Sequence, residues 1–263
     1  MLITKRQFQN LPRQYKKLIV SGDPDYLVGE CDAAQIEFRC AADLCDDSVA
    51  SVEIATDVDV HAITAATLRV SRQEAKSRTF MPLYAGMGKT NAEKAYCKFF
   101  KEKYNGISQE QGRWALSVSV DKQLRTRYGM IFRWPQAKLD HRGEVSFKTE
   151  IFNFAIQGMA TAEIIPIALV HAWHRLRGMK SVIINTIHDS IVSKVHRSEV
   201  DTWKQVVKQS LTTDVFSYLQ EVYNYSFTVP LGVGIKVAEH WGKADIEEKW
   251  NVFPDGSETY KVE

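Results

Sequence analysis

In residues 72–86, Arg72, Lys76, Phe80 and Tyr84 recur at every fourth position. On a helix, positions i and i+4 lie one above the other, so the four predict a single stripe. Two cations at one end and two aromatic rings at the other suit a ligand with an anionic tail and a flat apolar head, such as a nucleoside triphosphate. An ordinary surface helix with two basic residues and two core-facing rings carries the same pattern, so the stripe needs support from elsewhere. Two carboxylates supply it. Asp32 ends an apolar run, residues 26–32, that predicts a short buried strand, and Gln35 and Glu37 follow just beyond. A carboxylate there can hold a cation at a sheet edge; an isolated Asp can equally cap the next helix. Asp189 sits between two β-branched runs, Val182 to Ile187 and Ile191 to Val195. That pattern predicts a tight hairpin with His188 and Asp189 at its tip. A charged group at the end of a buried hairpin loses hydration and is usually paired or metal-bound, although an Asp can also simply make the turn.

These residues need a scaffold, and the composition allows one. The chain has 263 residues, 44% of them hydrophobic, enough for one large domain or two interleaved ones with a packed core. The formal net charge is +2, so any surface for nucleic acid must be local. The cysteines, Cys31, Cys40, Cys45 and Cys97, have no C-x-x-C pair and no zinc spacing. They read as reduced thiols in a cytosol-like compartment, and the expected location is cytoplasmic. No signal peptide is evident, no apolar run is expected to cross a bilayer, and no membrane partner is expected.

Residues 1–17 are polar and basic, with Lys5, Arg6, Arg13, Lys16 and Lys17 open to solvent or to a phosphate backbone. A helix is expected from Gln35 to about Cys45, and another opening at Asp59-Val-His61. The stripe helix should run over residues 71–84, with a kink or an end near Pro82. Gly86-Met-Gly-Lys-Thr90 is not a P-loop, because Leu83 stands where that motif needs its first glycine. Helices are expected over 91–104 and 108–126, with Asn105-Gly106 as the turn between them, then an excursion or hairpin over 127–150. Asn153-Phe-Ala-Ile-Gln-Gly158 should lead into an apolar helix over 159–177, bent at Pro166 and ended by Gly178. One amphipathic helix is expected over 199–223 and a last strand over 231–237. The charged tail from Lys243 should lie on the surface.

In order and separation, Asp32-Ala-Ala-Gln-Ile-Glu37, Arg72-x3-Lys76-x3-Phe80-x3-Tyr84 and His188-Asp189 resemble the three motifs of the A-family DNA polymerases, the DNA polymerase I family. Further segments resemble that family: Gln9-Asn-Leu-Pro12, Asp59-Val-His61 with Thr64-Ala65, Asn153-x3-Gln157-Gly158, and Gly232-Val-Gly-x4-Glu-His-Trp241. Each is weak alone; together they cover residues 7–245. The resemblance implies an α+β fold with an antiparallel palm sheet (residues 1–45 and 151–263) and an inserted helical fingers subdomain (46–150). It implies template-directed DNA synthesis from dNTPs on a primer-template. Two Mg²⁺ ions would be held by Asp32, Asp189 and the Ala33 carbonyl. Arg72, Lys76, His61 and Gln35 would meet the triphosphate, with Lys76 also the candidate general acid for pyrophosphate. Phe80 would lie against the sugar and Tyr84 at the nascent pair, and Glu37 would exclude a 2′-hydroxyl. Asn153, Gln157 and His188 would touch template or primer.

Some features depart from the family pattern. Ser190 stands where a third acidic residue is usual, and Ala85 where glycine is usual. No segment corresponds to a thumb, to the first part of the palm or to a 3′–5′ exonuclease. A second polypeptide supplying thumb and remaining palm, or a longer product, is therefore expected. The small fingers look phage-like. Two rival readings are an inactive nucleic-acid-binding remnant, disfavoured by the intact Asp32, Asp189, Arg72 and Lys76, and a two-metal nuclease, for which the cationic-aromatic stripe is superfluous.

Overall fold

The computed structural model describes residues 13–242, 244 and 246–263; the Gln9-Asn-Leu-Pro12 match, Lys5 and Arg6 lie outside them. In chain order the elements begin α1 (Arg13–Lys16), β1 (Tyr26–Ala33), α2 (Ile36–Leu44), α3 (Ser48–Ala55), α4 (Val60–Leu68) and α5 (Arg72–Thr79). A 3₁₀ turn (Met81–Tyr84) leads to α6 (Asn91–Lys103), α7 (Asn105–Asp121), β2 (Gln123–Arg125), β3 (Ile131–Arg133) and α8 (Lys148–Met159). A π-helical turn (Ala160–Ile164) joins α8 to α9 (Ile165–Arg175). Then come β4 (Val182–Ile187), β5 (Ser190–His196), α10 (Val200–Leu211), α11 (Thr213–Tyr223), β6 (Leu231–Ala238), β7 (Glu248–Val252) and β8 (Glu258–Val262).

Contacts divide the chain into two units. The first holds residues 1–36, 163–218 and 231–263; the second holds 37–162 and 219–230. Residues 37–45 and 151–162 fall in the second of these units.

The first unit is built on a six-stranded sheet in the order β4-β5-β1-β6-β7-β8, antiparallel throughout, so the α+β expectation with an antiparallel sheet holds. Helix α10 covers it with Trp203, Val207 and Leu211, one face at i, i+4 and i+8, all buried. Trp203 comes so close to β1 that a Cβ on Gly29 would stand 2.5 Å from its ring, which is why a strand interior tolerates glycine there. The tail meets the surface expectation only in part: β7 and β8 extend the sheet and β8 is exposed along its length, but Trp250 and Val252 of β7 are buried, the Trp250 ring 4.9 Å from that of Tyr260. The single helix expected over 199–223 is two. Thr212, at φ −130° and ψ −87°, breaks it, and its hydroxyl donates to the Lys208 carbonyl.

In the second unit, α2 buries Phe38, Cys40, Ala41 and Ala42 and is tied to residues 225–230 by two charged groups. The Arg39 guanidinium donates to the Pro230 carbonyl at 2.6 Å. Asp43 accepts from the Thr228 backbone and hydroxyl and from the Tyr225 hydroxyl. Buried charges of this kind persist because they are hydrogen-bonded. All four cysteines are buried free thiols, as expected.

Several boundaries in this unit differ from expectation. Asn105-Gly106 opens α7 instead of forming a turn before it. The Asp47 carboxylate caps α3 at Ala50 and also accepts from Ile107 N at 3.0 Å, satisfying a donor at the α7 start. A Cβ on Gly106 would meet Asp47 Cα at 2.9 Å, so the glycine serves this close approach. Asn153 and Gln157 lie within α8, which begins at Lys148, eleven residues before the expected helix. Helix Lys148–Arg175 runs 28 residues with a window of mean hydropathy 1.4, long and apolar enough by length and composition to cross a bilayer. This corrects the expectation of no such run; half of the window is buried inside the fold, as in a core helix.

The stripe helix also ends early. Pro82 has no N–H to donate and its ring obstructs the carbonyl four residues back, so α5 stops at Thr79 and a 3₁₀ turn takes over. Only Arg72 and Lys76 share one α-helical face. Ala85, after that turn, has φ 61°. The left-handed region costs an L-residue about 1–2 kcal/mol, partly offset by glycine's greater freedom when unfolded. Ala85→Gly is therefore expected to stabilise the chain by about 0.5–1 kcal/mol. Urea denaturation checks this, and an unchanged midpoint would contradict it.

Candidate active site

In the sheet unit the positions of the candidate residues are fixed by register. On β1, Asp32 faces Ser190 of β5 on one side and Gly234 of β6 on the other. Directly opposed residues share a sheet face, so Asp32, Ser190 and Gly234 form one row. Ile187 pairs with Ser190, leaving His188 and Asp189 as a two-residue tip, as the sequence predicts. His188 sits at φ 55°, the positive value that tight hairpins need at a central residue. The Ser190 hydroxyl donates to the Ile187 carbonyl at 3.1 Å, so it braces its own hairpin. Ala33 N donates to the Asp189 carbonyl at 3.0 Å and Ala34 N to the Gly232 carbonyl at 2.8 Å. The backbone after Asp32 is thereby tied to the hairpin tip. Gln35 follows at φ 51°, a second non-glycine residue held in the left-handed region close to a carboxylate.

Burial pushes the Asp32 carboxyl up to about 7, and the nearby charges of Asp189, Glu30 and Glu247 add to this, while Lys236 opposes them. Like charges in a partly dehydrated setting disfavour ionisation. The oxygens available are hard carboxylate donors, the kind Mg²⁺ prefers. Among the described residues no group of three or more His, Cys, Asp or Glu side chains forms a metal cage. One or two such carboxylates suffice for an ion that keeps most of its waters.

The other predicted residues lie in the helical unit. Arg72 pairs with Asp59, its Nε 2.6 Å from Oδ2, while the other oxygen of Asp59 caps α4 at Ala62. Lys76 is exposed and makes no ion pair among the described residues. His61 is buried against Thr79, Nδ1 to Oγ1 2.9 Å, with its ring 5.4 Å from Phe80. Burial lowers the imidazole's affinity for a proton, and Arg72 and Lys76 reinforce this. Phe80 in turn stacks on Phe38 at 5.1 Å. Gln157 gathers a small network: its Nε2 donates to Glu37 Oε1 and to the Tyr84 hydroxyl, each at 3.2 Å. Its Oε1 accepts from Thr161 at 3.0 Å. Burial first, then the Glu37 charge, holds the Tyr84 phenol in its protonated form. Asn153, on the same helix as Gln157, is half-buried.

A sequence model of DNA polymerase family A matches residues 3–243. The chain belongs to DNA polymerase family A. The DNA polymerase I of Aquifex aeolicus (strain VF5) is 24% identical, over 89% of this chain and 42% of that protein. That of Caldicellulosiruptor bescii is 23% identical, over 89% of this chain and 29% of that protein. Among solved structures, the POL domain of Pol1 from M. smegmatis, in complex with DNA primer-template and dNTP, superposes with a TM-score of 0.75 at 20% identity. The match covers 92% of this chain and 45% of that one. At that identity the likeness is one of fold. The chain spans less than half the length of these A-family relatives.

Sequence reasoning missed four residues beside the A-family motifs. Thr161 and Thr79 orient Gln157 and His61; Thr161 stands one helical turn from its partner, whereas Thr79 is 18 residues from His61 on the next helix and carries no sequence signal. Glu30 and Lys236 face each other across β1 and β6 next to Asp32. Alternation along a strand puts Glu30 on the Asp32 face, which could have flagged it.

The Asp32 carboxyl sets a pH dependence. Its folded value lies above the ordinary one of 3.8, so the metal-free folded state binds more protons than the unfolded chain between about pH 4 and 7. Stability from this group is complete below pH 4 and is lost as pH rises through about 7. In EDTA, Asp32→Asn is expected to match the parent near pH 4 and exceed it increasingly up to pH 7–8. Denaturant titrations across that range check this; a constant difference between the two proteins would contradict it.

Proposed function

We propose that this chain carries the polymerising site of a DNA polymerase: template-directed transfer of a nucleotidyl group from a dNTP to a primer 3′-hydroxyl. The observation that carries the reading is that Asp32 and Asp189 are neighbouring carboxylates, with the Ala33 N–H, next along the chain from Asp32, bonded to the Asp189 carbonyl at the hairpin tip. Family membership and the M. smegmatis neighbour, which was solved with primer-template and dNTP, support DNA and dNTP as partners.

In this reading the sheet unit is the palm and the helical unit carries the fingers. Two Mg²⁺ ions, when bound, would make the primer 3′-hydroxyl a better nucleophile and neutralise charge on the leaving pyrophosphate. Asp32, Asp189 and the Ala33 carbonyl would hold them. Phosphoryl transfer asks mainly for positioning and charge stabilisation, and the chain's own side chains suit that. Arg72 and Lys76 meet the phosphates, with Arg72 exchanging its Asp59 partner for a phosphate oxygen. His61, kept neutral by its surroundings, donates a hydrogen bond to them, and Gln35 lines the same end. Phe80 lies under the sugar, held flat by Phe38. Glu37, fixed by Gln157, stands against a 2′-hydroxyl, and Tyr84 packs on the nascent pair. Asn153, Gln157 and His188 contact template or primer. Lys76, which makes no ion pair among the described residues, protonates the departing pyrophosphate. The grip on the duplex comes from parts of a polymerase that these residues do not span, on the same longer chain or on a second polypeptide.

Metal-assisted charge stabilisation is worth several kcal/mol, and about 4 kcal/mol is roughly a thousandfold in rate. Asp189→Asn is thus expected to lose at least about a thousandfold in single-turnover primer extension, with duplex affinity little changed. Extension within tenfold of the parent would overturn the proposed function.

A further inference from the structure

A carboxylate from outside the polymerase match reaches over the Asp32 row from the neighbouring one. Family similarity ends at residue 243, and Glu247 lies beyond it, at the start of the β7–β8 hairpin. Its backbone exchanges both hydrogen bonds with Glu263, each 2.9 Å, so the base of the hairpin is pinned. Strand β7 pairs with β6 through Gly234↔Lys249 and Ile235↔Glu248. One step further, Lys236 and Glu247 face each other, Nζ 3.2 Å from Oε1. The Glu247 head then folds over Gly234. A Cβ on that glycine would collide with Oε1 and stand 3.3 Å from Cδ. Gly234 is the cross-strand partner of Asp32, so the Glu247 carboxylate occupies the space where a side chain opposite Asp32 would be.

Lys236 is the contested group. It lies directly opposite Glu30 and diagonal to Asp32 on the same sheet face. Diagonal neighbours are about 7–8 Å apart, within reach of a lysine side chain. Asp32, Glu30, Lys236 and Gly234, together with Lys16, line one cavity of about 340 Å³, so the Lys236 ammonium and Asp32 border one open space. The ammonium is nevertheless drawn to Glu247, and Lys249 shares that carboxylate at 3.7 Å. A lysine paired with Asp32 would compete with a divalent cation for the same oxygens.

We propose that Glu247 is a positioning residue: it holds the Lys236 ammonium off Asp32 and so leaves the Asp32 oxygens open to a divalent cation. The inference rests on the polymerase reading for its purpose, but its geometry belongs to the sheet alone. It makes the C-terminal hairpin part of the site's machinery.

The test uses the full chain as parent, Glu247→Gln, Lys236→Gln and the double variant. Mn²⁺ binding in the absence of DNA is read by electron paramagnetic resonance, and primer extension is followed against Mg²⁺ concentration. Glu247→Gln should raise the half-saturating Mn²⁺ and Mg²⁺ concentrations about tenfold by freeing Lys236 to pair with Asp32. Removing Lys236 as well should restore both to within about twofold of the parent. Parent-like binding in Glu247→Gln would overturn the inference. So would a double variant as weak as the single one, because a merely structural hairpin defect is not repaired by deleting Lys236. A parent that binds no Mn²⁺ would overturn it too. A parent that binds Mn²⁺ but extends no primer would defeat the polymerase reading and leave the Mn²⁺ comparison to decide this one.

Discussion

A carboxylate fixed in a sheet among other carboxylates must take up a proton or acquire a cation. Asp32 is in that position, and antiparallel register keeps it there. Strand β1 is paired on both sides, so Asp32 cannot move away from Ser190 or Gly234 without breaking two ladders. The hairpin tip brings Asp189 alongside through the Ala33 bond to its carbonyl. Close packing of Trp203 against Gly29 holds the same strand from the other face. The fold thus maintains a charge conflict at one place, and divalent-metal chemistry is the natural use of such a conflict.

On the proposed reading the helical unit answers the opposite need, cations and rings kept available. Arg72 waits on an exposed Asp59, a weak pairing in water. His61 is buried against Thr79 and Phe80, and Phe80 against Phe38, so those rings are positioned before any ligand arrives. Glu37, Gln157 and Tyr84 constrain one another in the same way. Preorganisation of this kind saves ordering cost at binding.

The elements that carry the candidate site residues were legible in the sequence because their signals are local. Val182 to Val195 announces a hairpin by β-branching alone, and its tip falls on His188 and Asp189. The end of the stripe helix near Pro82 follows from the missing N–H. What escaped depends on partners far along the chain. Asn105-Gly106 reads as a turn until Asp47 caps the helix it opens. The tail looks like solvated charge because its lysines and glutamates outnumber Trp250 and Val252, yet those two complete the sheet. Glu247 could not have been found at all, since its place beside Asp32 exists only through the register of β6 with β7.

The central claim is that Asp32 and Asp189 form one cation-binding pair. It is tested most directly by anomalous scattering from crystals of the chain grown with Mn²⁺, primer-template and a non-hydrolysable dNTP. The account predicts Mn²⁺ density touching both carboxylates and the Ala33 carbonyl, with the triphosphate sharing the ion. Ordered nucleotide with Mn²⁺ bound elsewhere, and none at Asp32 or Asp189, would contradict it.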